Sequence, residues 1–131
     1  MRALLVGVVA AASLAGPAGG AGSPIVVSFQ RTGGFASIEK HLAVHRDGTI
    51  SSDGYAAKKK LPAAKLAALR SALADARFAT LDRVYEPDAP IADGYTYRIT
   101  YAGRTVRIEE EATLPPRLQR VFTQLQNLTH G

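Results

Sequence analysis

His41 and His45 lie four residues apart, a spacing that is typical of zinc ligands. On a helix this spacing places both imidazoles on one face, where they can share an ion. The surrounding residues are typical of a strand, which would separate the two rings by about 13 Å, whereas a zinc–nitrogen bond measures about 2 Å. We therefore expect no metal site and no cofactor in this chain.

Carboxylates and nucleophiles give no better case for catalysis. Glu109, Glu110 and Glu111 are consecutive, and consecutive strand residues point to opposite faces, so we expect a solvated strand end rather than a converging pair. No serine lies in a G-x-S-x-G pattern or beside an evident activating base. The chain has no cysteine, which excludes disulfides, thiolate metal sites and a cysteine nucleophile. We expect that the protein is not an enzyme.

One segment is hard to explain by folding, namely residues 31–35, Arg-Thr-Gly-Gly-Phe. Adjacent glycines cost backbone entropy and permit unusual dihedral angles, and a large aromatic residue follows them at once. One interpretation is a loose hairpin loop with Phe35 folded back onto the core. The other is a projecting loop that offers its backbone and Phe35 to a cleft in a partner protein. The residues alone leave both open.

Composition indicates one small folded domain. The 131 residues are 47% hydrophobic and 21% charged, as in globular proteins rather than disordered ones. The net charge is +5, but acidic and basic residues are interspersed and tryptophan is absent. Neither a clustered phosphate-binding face nor an aromatic platform for bases is indicated, so we expect no nucleic-acid partner.

Residues 1–22 have the pattern of a secretory signal peptide. Arg2 precedes an apolar run over residues 3–15, and small residues follow up to Gly22. The run is shorter than the roughly 20 residues that cross a bilayer; a retained N-terminal anchor helix is the alternative. Cleavage after Ala18 or Ala21 would leave a single domain, residues 23–131, with no stable membrane association. The expected location is secreted or periplasmic.

The first predicted hairpin occupies residues 25–44. Its strands are residues 25–29 and 35–44, and this register places Val27 opposite Ile38. Asp47-Gly48 then predicts a tight turn into a short return strand at residues 49–51.

The second predicted hairpin has strict alternation on both sides of an Ala102-Gly103 turn. A two-residue turn pairs Tyr101 with Arg104, Ile99 with Val106, and Tyr97 with Ile108.

Helices and loops complete the predicted fold. Pro62 opens a helix that ends near Phe78, and Pro115-Pro116 opens a second helix. Residues 84–94 are rich in proline and aspartate and predict a loop with no regular element. The fold class is therefore α+β: an antiparallel sheet of about four strands, made of two hairpins, with two helices on one face in ββαββα order.

A series of short segments resembles the emfourin family, across nearly all of residues 25–128. The matching segments are Ile-Val-Val at 25–27, Thr-Gly-Gly-Phe-Ala at 32–36, Leu-Pro at 61–62, Tyr-Thr-Tyr-Arg-Ile-Thr at 95–100 and Leu-Pro-Pro-Arg-Leu at 114–118. Emfourins are small protein inhibitors of protealysin and other thermolysin-like zinc metallopeptidases. The resemblance implies an inhibitor that occludes the protease cleft without a covalent bond and is a monomer when free; together with the predicted leader, it indicates a secreted inhibitor. The alternative is a non-inhibitory envelope or secreted binding module with the same fold.

The resemblance also implies roles for individual residues. Thermolysin-like enzymes favour bulky apolar residues beside the bond they cut, so Phe35 would anchor the complex while the flanking glycines allow close approach. The zinc in such a complex belongs to the protease. The residues expected to contact the protease are Arg31, Thr32, Gly33, Gly34, Phe35, Asp93 and Tyr95.

Overall fold

The computed structural model describes residues 23–36, 38–54 and 60–129; the predicted signal peptide lies outside these ranges. In chain order the elements are β1 (Ile25–Gly33), β2 (Lys40–His45), β3 (Ile50–Asp53), α1 (Ala63–Ala76), a 3-10 turn (Phe78–Thr80), β4 (Val84–Tyr85), β5 (Tyr95–Tyr101), β6 (Arg104–Glu109) and α2 (Pro116–Leu128). All six strands form one sheet in the order β3-β2-β1-β5-β6-β4.

The α+β class agrees with the prediction, but the prediction of about four antiparallel strands in ββαββα order is wrong. The described residues form six strands, and β4 runs parallel to β6, with Val84 beside Arg107. β4 was predicted to be loop because two residues are too few to show alternation and prolines follow them. Its pairing is fixed by the neighbouring strand: the Arg107 N–H donates to the Arg83 carbonyl at 2.8 Å.

The predicted register of the first hairpin is also wrong. Val27 lies opposite Val44 rather than Ile38, and β2 begins only at Lys40. This register buries Leu42 and Val44 and leaves Ile38 54% exposed. Because Leu42 and Val44 supply the buried side chains of β2, Ile38 is left in the connection that precedes the strand. The return strand predicted at residues 49–51 is present as β3.

The second hairpin has the predicted register throughout. Tyr101 pairs with Arg104, Ile99 with Val106, and Tyr97 with Ile108. Ala102 and Gly103 both have positive φ, 53° and 78°, as in the two-residue turns whose twist matches that of the strands.

Both helices pack into one core with the inward side chains of the sheet. α1 begins directly after Pro62 and ends at Ala76, where Arg77 adopts a left-handed conformation, and the following 3-10 turn buries Phe78. α2 begins at Pro116, the second proline of the predicted pair. The core contains Val27, Phe29, Leu42, Val44, Ile50, Leu61, Leu69, Ala72, Leu73, Ala76, Phe78, Leu81, Ile99, Val106, Ile108, Leu118, Val121 and Leu125. In the described ranges, neither helix has the length and apolar character needed to span a membrane.

Candidate functional site

The pairing of β1 with β5 brings two loops together at one end of the sheet. Gly33, the last residue of β1, lies opposite Tyr95, the first residue of β5. The loop that follows β1 therefore lies beside the loop that precedes β5. We call residues 31–35 together with residues 91–95 the two-loop edge. All seven residues that the sequence nominated for protease contact belong to it.

Close backbone approach explains the two adjacent glycines. Gly33 and Gly34 have φ of 108° and 78°, a region that other residues rarely adopt. A Cβ on Gly33 would lie 2.5 Å from the Gly94 carbonyl oxygen, and one on Gly34 would lie 2.7 Å from Cε1 of Tyr95. The Gly34 N–H also donates to the Gly94 carbonyl at 3.4 Å. The second loop thus fixes the turn that carries Phe35.

Phe35 projects from this turn with 96% of its surface exposed. The interpretation in which Phe35 folds back onto the core is therefore wrong. Two further large apolar residues of the same two loops are exposed, Ile38 and Ile91. Phe35 contributes nothing to the core, and large exposed apolar side chains such as this one are typical of interaction surfaces when others lie nearby.

Tyr95 supports the turn and links it to the core. The Arg31 guanidinium lies 4.5 Å from the centre of the Tyr95 ring, within the range of a cation–π contact. Tyr95 also lies beside Tyr97, whose ring packs against those of Phe29 and Phe122. Burial raises the pKa of Tyr97 above its ordinary value of 10.0, although the nearby Arg31 charge opposes the shift. Its phenol is therefore neutral near pH 7.

The remaining predicted contacts have distinct positions. Thr32 pairs with Thr96 inside the sheet and is half-buried, so it borders the exposed surface. Asp93 is exposed at the tip of the second loop, with φ of 57°. The Gly94 N–H donates to the Ile91 carbonyl at 3.2 Å, which closes the turn around Asp93. The edge therefore combines an apolar tip with one cationic and one anionic side chain.

Glu110 is a residue of this region that the sequence did not indicate. Its carboxylate Oε1 accepts a hydrogen bond from the Tyr95 N–H at 2.9 Å, so it is not simply part of a solvated acidic run. The predicted register of the second hairpin could have indicated this contact. When the predicted pairs are extended by one, Thr96 lies opposite Glu109, as observed, and Glu110 lies next to Tyr95.

The two histidines of the zinc-like spacing, His41 and His45, both lie on β2. Among the described residues no group of three potential ligands could hold an ion. His45 Nδ1 lies 2.7 Å from the Ser23 carbonyl oxygen and Nε2 lies 2.8 Å from Ser51 Oγ. In the neutral ring, Nδ1–H donates to the carbonyl and Nε2 accepts from the Ser51 hydroxyl.

The contact between Ser51 and His45 is one that the sequence context of Ser51 did not indicate. Ser51 is exposed on the edge strand β3. The Asp47 N–H donates to Ser23 Oγ at 3.1 Å, and the Arg46 N–H donates to the Pro24 carbonyl at 2.8 Å. Together with the contacts of His45, these bonds hold the start of β1 against the turn between β2 and β3.

The widest depression described lies elsewhere, on the sheet face that the helices leave uncovered. It has a volume of about 460 Å³, and its lining includes Ser28, Ser51, Thr100 and Thr105. It is a shallow, open surface in the middle of the sheet and offers a ligand little burial.

Comparisons with protein-family models, with curated proteins and with solved structures found no match to this chain. What the two-loop edge can do is therefore inferred from its own geometry and chemistry, and from the sequence resemblance.

Proposed function

We propose that this chain is a secreted inhibitor of a thermolysin-like zinc metallopeptidase and occludes the protease cleft without forming a covalent bond. The observation that carries the proposal is Phe35, which is 96% exposed at the tip of a turn that neighbouring backbone fixes. The resemblance to emfourins supplies the class of the target. The function needs no chemistry from this chain, and the zinc in the complex is the partner's.

The anchor of the complex is the Phe35 side chain. It enters the apolar pocket beside the protease zinc, where the enzyme normally accepts a bulky substrate side chain. Aromatic anchors of this kind often account for about 2 kcal/mol or more of binding free energy when they fill a desolvated pocket. Ile38 and Ile91, which are exposed on the loops that follow β1 and precede β5, are available for further apolar contacts with the protease.

Pre-organisation makes the loop an inhibitor rather than a flexible peptide. Gly33 is still paired in the sheet, and Gly34 is bonded to the second loop. Little conformational freedom remains to be lost at Phe35 when the complex forms, and a smaller ordering cost means a higher affinity. Arg31, Thr32, Asp93 and Tyr95 supply polar contacts at the rim. In this proposal the free inhibitor is a monomer, without nucleic-acid partners or stable membrane association once its leader is removed.

The test is a titration of a thermolysin-like enzyme with the purified protein, followed by hydrolysis of a small peptide substrate. We expect stoichiometric inhibition in the nanomolar class. Phe35→Ala should raise the inhibition constant by about thirtyfold, the equivalent of about 2 kcal/mol. Ile25→Ala is the matched control, because Ile25 is also a large exposed apolar residue, at the opposite end of β1.

Two results would contradict the proposal. If the folded wild-type protein leaves hydrolysis unchanged at micromolar concentration, the chain is not an inhibitor of this class, and a non-inhibitory binding module with the same fold becomes the better description. If Phe35→Ala inhibits as well as wild type, with an unchanged melting temperature, the anchor has been assigned to the wrong residue.

A further inference from the structure

Glu110 contacts the second loop through both its side chain and its backbone. Its carboxylate Oε1 accepts the Tyr95 N–H at 2.9 Å, and its own N–H donates to the Tyr95 carbonyl at 2.9 Å. The carboxylate is also packed against Gly94, where an added Cβ would lie 3.3 Å from Oε1. One residue therefore holds the backbone of Gly94 and Tyr95 from the side of β6.

A short series of contacts joins Glu110 to the turn that carries Phe35. The Gly94 carbonyl accepts the Gly34 N–H, and the Tyr95 ring lies against Gly34. Arg31 holds the ring of Tyr95 by its cation–π contact, while Glu110 holds the backbone of the same residue. Tyr95 is thus fixed from two sides by opposite charges, and Gly34 rests on it.

We propose that Glu110 is a positioning residue for the two-loop edge: its carboxylate fixes Gly94 and Tyr95 and thereby keeps the Phe35 turn in its binding conformation before a partner arrives. The consequence for inhibition rests on the proposed function, whereas the consequence for the order of the turn does not. A hydrogen bond from an N–H to a carboxylate is roughly twice as strong as one between neutral groups. Glu110 is half-buried, so water competes for the Tyr95 N–H less than it would at a fully exposed site.

The neighbouring glutamates do not share this role. The Glu109 carboxylate lies 3.3 Å from the Arg107 guanidinium, to which it is paired. Glu111 is exposed, and its φ of 66° turns the chain away from β6. Glu111→Ala therefore removes the same charge one residue away without removing the acceptor for Tyr95, which makes it the matched control.

The first experiment needs no protease. Backbone order parameters from ¹⁵N relaxation are measured for wild type, Glu110→Ala, Glu110→Gln and Glu111→Ala. In Glu110→Ala we expect the values at Gly34 and Phe35 to fall from about 0.85, typical of rigid backbone, to below about 0.6. Glu110→Gln keeps a side-chain oxygen that can accept the Tyr95 N–H and should restore rigidity; Glu111→Ala should match wild type. Glu110→Met keeps the packing without the acceptor, and replaces Glu110→Ala if that variant does not fold.

The second experiment measures inhibition constants for the same variants. If only a fraction of molecules carries the turn in its binding conformation, the apparent affinity falls by that fraction. We expect about a tenfold weaker inhibitor for Glu110→Ala, mainly through slower association, and near-wild-type behaviour for Glu110→Gln and Glu111→Ala.

The outcomes separate the two proposals. A Glu110→Ala turn as rigid as wild type at Gly34 and Phe35 overturns the positioning role, whatever the protease result. Equal inhibition by wild type and Glu110→Ala overturns the consequence for binding and leaves the proposed function standing. A wild-type protein that does not inhibit overturns the proposed function alone, and the order parameters still decide the role of Glu110.

Discussion

The two central hairpins of the sheet differ in how fully the burial of apolar side chains explains their sequences. In the β5–β6 hairpin every large apolar residue faces the core, and a two-residue turn leaves nothing outside the pairing. In the β1–β2 hairpin the strands pair up to Arg31 and Lys40, and a longer connection carries Phe35 and Ile38 out into solvent. The first is explained by folding alone; the second contains residues that folding does not need.

This difference shows where a binding function can be located in a small domain. Replacing a buried residue costs stability, so the β5–β6 hairpin has little freedom to change. Phe35, at the tip of the connection after β1, can be replaced without loss of core packing, whereas Gly33 and Gly34 at its base are restrained by the second loop. A tip residue that the core does not need, held on a restrained backbone, is what a pre-organised binding loop requires.

The largest expected effect is on the free energy of unfolding, compared between a core residue of the β5–β6 hairpin and the residue at the tip of the β1–β2 loop. Ile99 is fully buried, so Ile99→Ala should lower the free energy of unfolding by about 2–5 kcal/mol. Phe35→Ala should change it by less than about 0.5 kcal/mol. Urea denaturation measures both, and a large loss of stability in Phe35→Ala would mean that its ring packs against the protein after all.

A smaller effect is expected from the glycines of the two hairpin loops. Gly33 and Gly103 both have positive φ, but a Cβ on Gly33 would meet the Gly94 carbonyl at 2.5 Å, and a Cβ on Gly103 would meet nothing within 4 Å. Gly103→Ala should cost only the left-handed conformation, about 1–2 kcal/mol. Gly33→Ala should cost more, because the second loop must also move. Equal losses in urea denaturation would contradict the contact between the two loops.

The smallest effect is expected at the turn between β2 and β3. The Asp47 carboxylate accepts the Thr49 N–H at 2.9 Å, and this bond lowers the pKa of Asp47 below its ordinary value of 3.8. The folded state therefore gains stability from ionised Asp47 above about that pH, and loses it as the pH falls through the lowered pKa. Wild type should melt slightly above Asp47→Asn at pH 6, and the difference should shrink as the pH falls below the ordinary pKa of 3.8. A difference that does not depend on pH would contradict the charge effect.

The parts of the fold that the sequence predicted are those in which local pattern and tertiary packing agree. In the second hairpin the two-residue turn at Ala102-Gly103 and the alternation on both sides agree on a register with all large apolar residues on one face, and prolines marked the starts of both helices. In the first hairpin, alternation places both Ile38 and Val44 on the inner face and therefore does not determine which of them lies opposite Val27. Only the packing of the whole core selects Val44, so no local pattern could give the register.

The sequence predicted which residues form the candidate site but not the contacts that hold them in place. Two glycines followed by phenylalanine stand out in any sequence, yet exposure of Phe35 depends on whether the core has room for its ring. Glu110 was missed because a run of glutamates resembles a solvated strand end. β4 was missed because its two residues owe their strand conformation to β6. In each case the deciding contact is with a segment distant in sequence.

The course of β1 has a practical consequence for handling the molecule. Its nine residues run from Ile25 to Gly33, and at about 3.3 Å per step its two ends are separated by about 26 Å. A bead, a dye or a fused reporter attached at Ser23 would therefore lie at the end of the sheet that is remote from Phe35. Immobilisation through that end would present every copy with its aromatic tip facing outward, ready for capture assays.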